Sequence, residues 1–143
     1  EKNDRLIYLV SSSTGEVLFW QGRRFGDGPK YLSWGSIPGP IIFGTGRTVI
    51  LTEDVVSAMR VGRSLAASPL FGSHVPQKAL EALWGRFERI GVWLDPDKRQ
   101  ECAKAVLMGL VHGLKIFGIY SDKDPKEHTD QEIQNIVSAH LPA

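Results

Sequence analysis

The sequence predicts an α/β protein with a central, mainly parallel sheet flanked by helices, preceded by a small N-terminal β-rich subdomain. Two observations carry this. From residue 48 onward, short apolar runs alternate with amphipathic ones, and such alternation argues for parallel strands covered by crossover helices. Before that, two short apolar runs flank a Ser/Gly turn, and a Gly/Pro-dense stretch follows. The expected division is a β-rich basic subdomain at 1–46 and an α/β domain at 47–143. The whole chain of 143 residues suits one domain with an appendage.

The elements follow in order. "RLIYLV" (5–10) and "EVLFW" (16–20) read as strands joined by "SSSTG", a hairpin signal. "QGRRFGDGPKYLSWGSIPGPIIFG" (21–44) reads as loops with short strand pieces. "TVILTE" (48–53) is a buried-type strand. "DVVSAMRVGRSLA" (54–66) and "PQKALEALWGRFE" (76–88) are helical, the second with Pro76 near its start. "RIGVWL" (89–94) is a strand, "DKRQECAKAVLMGLVHGL" (97–114) the strongest helix, and "KIFGIY" (115–120) another strand. "TDQEIQNIVSAHL" (129–141) opens on Thr129 with Glu132 three residues later, a capping-box pattern. Trp84 and Trp93 are expected in the core.

Composition narrows the functional classes. The net charge of +1 does not announce a nucleic-acid binder, so position must. The lone cysteine, Cys102, excludes a disulfide framework and a multi-cysteine zinc site, and a reducing cytoplasm suits it. His74, His112, His128 and His140 show no ligand spacing. No apolar run approaches the roughly 20 residues of a membrane span. The polar start "EKNDR" does not read as a signal peptide, and a start at Glu1 is compatible with a fragment or a processed product. Neither glycine-rich phosphate loop occurs, which weighs against a doubly wound nucleotide-binding protein or phosphatase.

Ligands of open α/β sheets bind beyond the carboxyl ends of the strands. Here those ends are acidic: Glu53 after "TVIL", Asp95-Pro96-Asp97 after "VWL", and Asp122 and Asp124 after "KIFGIY". Clustered carboxylates repel, and a divalent cation removes that cost. In an extended segment residues i and i+2 point the same way, so Asp95 and Asp97 are expected to face one ion and form a metal platform at the strand end. Asp97 before a helix also suits an N-cap, and Glu53 a first-turn acid. Three acidic stations on one sheet edge favour the metal.

These residues resemble the toprim domain shared by bacterial and phage primases, topoisomerases and some nucleases. "LTEDVVSAMRVGR" is similar to its glutamate motif and "VWLDPDKRQECAKAV" to its Asp-x-Asp motif. "LFGSHVPQKALEAL" is similar to the loop and helix between them, and "DKDPKEH" to the Lys-Asp segment of phage primases. The lead-in, with Gly22-Arg23-Arg24 and Pro29-Lys30-Tyr31, resembles the segment that precedes toprim in bacterial-type primases. The family pattern Glu-Gly-x-x-Asp stands here as Glu53-Asp54-Val55-Val56-Ser57, and Lys98 and Arg99 stand near the usual Ala-Gly pair.

The resemblance implies a toprim-like fold and metal-dependent primer synthesis: ribonucleoside triphosphates joined on a single-stranded DNA template with Mg²⁺ or Mn²⁺. Glu53, Asp95 and Asp97 would be catalytic, and those three with Asp124 would hold metal. Arg23, Arg24 and Lys30, lining one basic face, together with Lys98 and Lys123, would contact template or nucleotide. Tyr31 and Trp34 are interleaved with these charges and aromatic faces can stack on bases, but core packing is the favoured reading of Trp34. A replicative helicase or helicase domain is an expected partner. The expected location is the cytoplasm of a bacterial cell or a phage-infected host. A toprim nuclease and a nucleic-acid or replisome binding module without chemistry are the rival readings.

Overall fold

The computed structural model describes residues 5–25 and 28–143. The first four polar residues and positions 26–27 of the glycine-rich lead-in fall outside them. The chain forms two compact units, Glu1–Gly39 and Pro40–Ala143.

The first unit is an antiparallel sheet of three strands, β1 (Arg5–Ser11), β2 (Val17–Arg24) and β3 (Tyr31–Gly35), in that spatial order. The expected hairpin turn is present. Gly15 takes the left-handed conformation (φ 86°), and its N–H donates to the Ser12 carbonyl at 3.0 Å. Strand pairing sets Trp20 between Leu9 and Trp34, and Arg23 between Leu6 and Tyr31. Side chains alternate across a strand. Phe19 and Gln21 are buried, whereas Ile7, Leu9, Leu32 and Trp34, on the face of Trp20, are exposed.

The second unit holds a sheet of four parallel strands. In chain order its elements are β4 (Thr48–Thr52), α1 (Val55–Val61), β5 (Ala66–Pro69), α2 (Gln77–Leu83), β6 (Arg89–Trp93), α3 (Arg99–Val111), β7 (Ile116–Gly118), a 3₁₀ turn (Pro125–Glu127) and α4 (Asp130–His140). The sheet order is β5-β4-β6-β7, with every neighbour parallel. Period-2 alternation splits the apolar side chains between two faces. Val49, Leu51, Ile90, Val92 and Ile116 pack with Leu80 and Leu83 of α2 and with Cys102 and Ala105 of α3. Ile50, Trp93 and Phe117 pack with Ala58 and Val61 of α1 and with Ile133 and Val137 of α4. Gly91 of β6 has no room for a side chain, because a Cβ there would lie 2.7 Å from Ile50 Cδ1 and 3.1 Å from the Phe117 ring. The fold is the expected α/β class.

Three expectations change. Between α1 and α2 the sequence pattern reads helix after helix, but β5 intervenes. Its Ala-Ala-Ser-Pro has little β propensity, and Pro69 is accommodated because β5 has only β4 as a sheet neighbour. The compact units divide after Gly39 and not at residue 46, since Phe43 and Ala67 exchange backbone hydrogen bonds at 2.8 Å and bind that stretch to β5. Trp93 is fully buried as expected, but Trp84, just past the end of α2, is 64% exposed.

The capping box of α4 is formed. The Thr129 hydroxyl accepts from Glu132 N–H, and the Glu132 carboxylate accepts from Thr129 N–H at 2.7 Å. No helix among the described residues is long and apolar enough to cross a membrane.

Candidate active site

The chain runs from β4 to β5 on one side and then to β6 on the other, so the sheet order reverses between β4 and β6. The crevice at such a switch point is where open sheets bind ligands. Register aligns the two strand ends: Thr52 pairs with Trp93, so Glu53 and Leu94-Asp95 emerge side by side. The backbone around Glu53 is tied down. The loop after β5 donates Gly72 N–H to the Glu53 carbonyl at 3.1 Å and Leu70 N–H to the Thr52 carbonyl at 2.8 Å. Phe71 between them holds a left-handed conformation (φ 58°), unusual for a bulky residue.

Glu53 and Asp95 are brought together. The Glu53 Oε1 atom accepts a long hydrogen bond, 3.3 Å, from the Asp95 N–H. The Glu53 pKa is raised to about 7. Partial burial contributes most and the Asp95 charge next; the Asp95 amide bond opposes them, Asp97 adds to the rise and Lys98 works against it. Glu53, Asp95 and Asp97 therefore share one electrostatic field, in which a full set of negative charges is unfavourable.

The Asp95-Pro96-Asp97 segment is not extended. Lys98 N–H donates to the Asp95 carbonyl at 2.9 Å, closing a tight turn with Pro96 at its second position, which the fixed proline φ favours. Asp95 and Asp97 are therefore not aligned by strand alternation, contrary to expectation. The capping alternative for Asp97 is not realised either, since Lys98 is the N-cap of α3 and no side chain caps it. Asp97 is exposed and Lys98 half-buried.

Asp124 is differently engaged. Its carboxylate lies 3.2 Å from the Lys126 ammonium and closes a capping box with Glu127 on the 3₁₀ turn. Lys126 also donates to Asp54 Oδ2 at 2.7 Å, while Asp54 Oδ1 caps α1 by accepting from Ser57 N–H at 2.7 Å. Burial works against the Lys126 charge, yet Asp54 and Asp124 outweigh it and hold its pKa above the usual lysine value. Burial likewise raises Asp54, but Lys126 and the Ser57 amide more than offset it and leave that carboxyl below its usual range. Sequence reasoning missed Asp54 and Lys126. An Asp directly before "VVSAM" was a readable N-cap signal, but its partner 72 residues away was not.

Lys123 is exposed, and its carbonyl accepts from the Ser121 hydroxyl, which in turn accepts from the Trp93 indole N–H at 2.8 Å. Arg23, Arg24 and Lys30 lie in the first unit. They do not form the expected single basic face. Consecutive strand residues point to opposite sides, so Arg23 shares a face with Phe19 and Gln21, whereas Arg24 lies on the face of Trp20. The Lys30 ammonium sits 5.4 Å from the Tyr31 ring centre.

Among the described residues, no group of three or more His, Cys, Asp or Glu side chains is gathered closely enough to hold an ion unaided. Mg²⁺ does not require one, being commonly held by one or two carboxylates, several waters and substrate phosphates. The crowded pair of Glu53 and Asp95, with Asp97 beside it, suits a cation of that kind.

No family model matches the chain, and no curated protein does. Solved structures do. A DNA primase domain from Pseudomonas aeruginosa matches with a TM-score of 0.78 at 16% identity, over 96% of this chain and 51% of its own. The Aquifex aeolicus primase, with zinc-binding and RNA polymerase domains, matches with a TM-score of 0.75 at 19% identity, over 95% and 40% respectively. The primase fragment of the bacteriophage T7 primase-helicase matches with a TM-score of 0.63 at 17% identity, over 92% and 62%. This chain thus spans about half the length of the structures it matches. Its fold, first unit and parallel sheet together, is that of bacterial and phage primase domains.

Proposed function

We propose that this chain is the core of a primase-type nucleotidyltransferase, which joins ribonucleoside triphosphates into a primer on a single-stranded DNA template. The observation that carries the reading is the meeting of Glu53 with the Asp95 turn at the switch point of a primase-like sheet. The likeness to primase domains extends over the first unit as well as the parallel sheet, which favours a primase over a toprim nuclease.

In this reading the 3′-oxygen of the growing strand bonds to the α-phosphorus of the incoming nucleotide, and pyrophosphate leaves. Glu53, whose carboxylate meets the Asp95 turn, would take the hydroxyl proton as general base. Asp95 and Asp97 would hold Mg²⁺ or Mn²⁺ with Glu53 at its edge. The ion, when bound, supplies positive charge that neutralises the triphosphate and the leaving group. In the same reading Lys98, at the start of α3 beside the turn, and exposed Lys123, in the loop after β7, would contact phosphate. A helicase partner and a cytoplasmic setting, in a bacterium or a phage-infected host, belong to the same proposal.

The test is template-dependent incorporation of labelled ribonucleotides with Mg²⁺ or Mn²⁺. Dinucleotide and longer products supports the reading. Nicking of supercoiled plasmid without incorporation replaces it with the nuclease, and salt-sensitive strand binding with neither activity replaces it with a binding module.

A further inference from the structure

Lys126 stands between two carboxylates that leave different strand ends. Asp54 follows β4 and Asp124 follows β7, strands that β6 separates in the sheet. The ammonium lies 2.7 Å from Asp54 Oδ2 and 3.2 Å from Asp124 Oδ2. The Asp54 side chain is only 10% exposed and that of Lys126 only 20%, so water does little to screen these charges. The other Asp54 oxygen is committed to the Ser57 amide, and Asp124 is committed to its own capping box. Asp54, next in sequence to Glu53, and Asp124 are thus neutralised by a covalently attached cation, while the charge that offsets Asp95 and Asp97 at Glu53 is Lys98.

We propose that Lys126 is a built-in cation that replaces a second divalent ion: by bridging Asp54 and Asp124 it withdraws both from metal binding and leaves a one-ion site at Glu53, Asp95 and Asp97. The inference rests on the reading of those three residues as an ion site, and it assigns Asp124 a structural partner in place of a metal. Removing the ammonium leaves two carboxylates facing one gap, an oxygen pair of the sort that hard divalent cations bridge.

The experiment is Mn²⁺ titration of the full chain, counting bound ions by electron paramagnetic resonance, with circular dichroism to check folding. Wild type and Lys126→Arg are expected to bind one ion per chain. Lys126→Met is expected to bind a second. Asp124→Asn, which keeps a capping oxygen, is expected to bind its single ion within about twofold of wild type, whereas Asp97→Asn weakens it by about tenfold or more.

Two ions on the wild type, or one ion on a folded Lys126→Met, overturns the inference and leaves the ion site standing. If Lys126→Met does not fold, Asp124→Asn decides: a loss of affinity of about tenfold makes Asp124 a ligand and refutes the proposal. Wild type that binds no Mn²⁺ with nucleotide present, or a single ion indifferent to Asp97→Asn, overturns the underlying site reading instead.

Discussion

The Glu53 carboxylate accepts the backbone N–H of Asp95, and the two residues meet across 42 positions of sequence because β4 and β6 are parallel neighbours in register. The amide draws Glu53 towards a residue whose side-chain charge repels it. This opposition makes Glu53 the most informative probe of the site.

Asp95→Asn removes the repelling charge while keeping the backbone donor. The Glu53 pKa, about 7 in the native chain, is expected to fall towards the ordinary carboxylate range. A carboxyl-selective NMR titration measures this. Metal-dependent incorporation by the same variant is expected to drop by about 100-fold or more, with the fold intact by circular dichroism.

The pH dependence follows from the direction of that shift. A carboxyl whose folded pKa lies above its unfolded value of 4.5 binds protons more tightly in the folded state. Without metal, its contribution to folding is therefore fully present below about pH 4.5 and is lost as pH rises from there to about 7. Urea denaturation of native protein and Glu53→Gln should differ by that slope. Mn²⁺ competes with the same proton, so its affinity should rise up to about pH 7 and then level off, and Glu53→Gln should flatten the rise.

Asp54 has two jobs that substitutions can separate. Asp54→Asn keeps an oxygen for the Ser57 amide and loses the charge opposite Lys126; Asp54→Ala loses both. Both should destabilise the fold, Asp54→Ala by about 1 kcal/mol more, the worth of an N-cap. Chemical denaturation of the two variants checks the difference.

Gly91→Ala should cost about 1–3 kcal/mol, since the new methyl collides with Ile50, Phe117 and Ile119 in a filled core. Thermal melts give the figure. An unchanged melting temperature would mean that the core on the Trp93 side of the sheet yields more than the packing shows.

The opposite facing of Arg23 and Arg24 gives the first unit a preferred side. Arg24 shares the face on which Ile7, Leu32 and Trp34 are exposed, whereas Arg23 shares that of buried Phe19 and Gln21. Arg24→Ala is expected to reduce the salt slope of single-strand binding by about one, and Arg23→Ala to leave it unchanged. Fluorescence anisotropy across a salt series distinguishes them.

Much of this was legible in the sequence. β4 and β6 are apolar runs bounded by turn residues, and the register that places Glu53 beside Asp95 follows once they are parallel neighbours. β5 was hidden because Ala66, Ala67, Ser68 and Pro69 form a strand through pairing with β4 and not through propensity. The extended reading of Asp95 to Asp97 fails because Pro96 is a turn former, and Lys98 N–H closes the turn on the Asp95 carbonyl. The Asp54–Lys126 pair left no local trace, since ion pairs between distant loops depend on the finished topology. Trp84 was assigned to the core by residue type alone, although it stands just past the end of α2 on the surface.

The reversal of strand order between β4 and β6 also bears on when the site comes into being. Glu53 and Asp95 are neighbours only after the intervening β5 and α2 have been laid down and β6 has docked against β4. Parallel pairings of this kind require long loops to close before contacts repay them, so they form slowly. A chain halted before β6 docks on β4 would carry these two carboxylates apart, so the site proposed here exists only once that long-range pairing has formed.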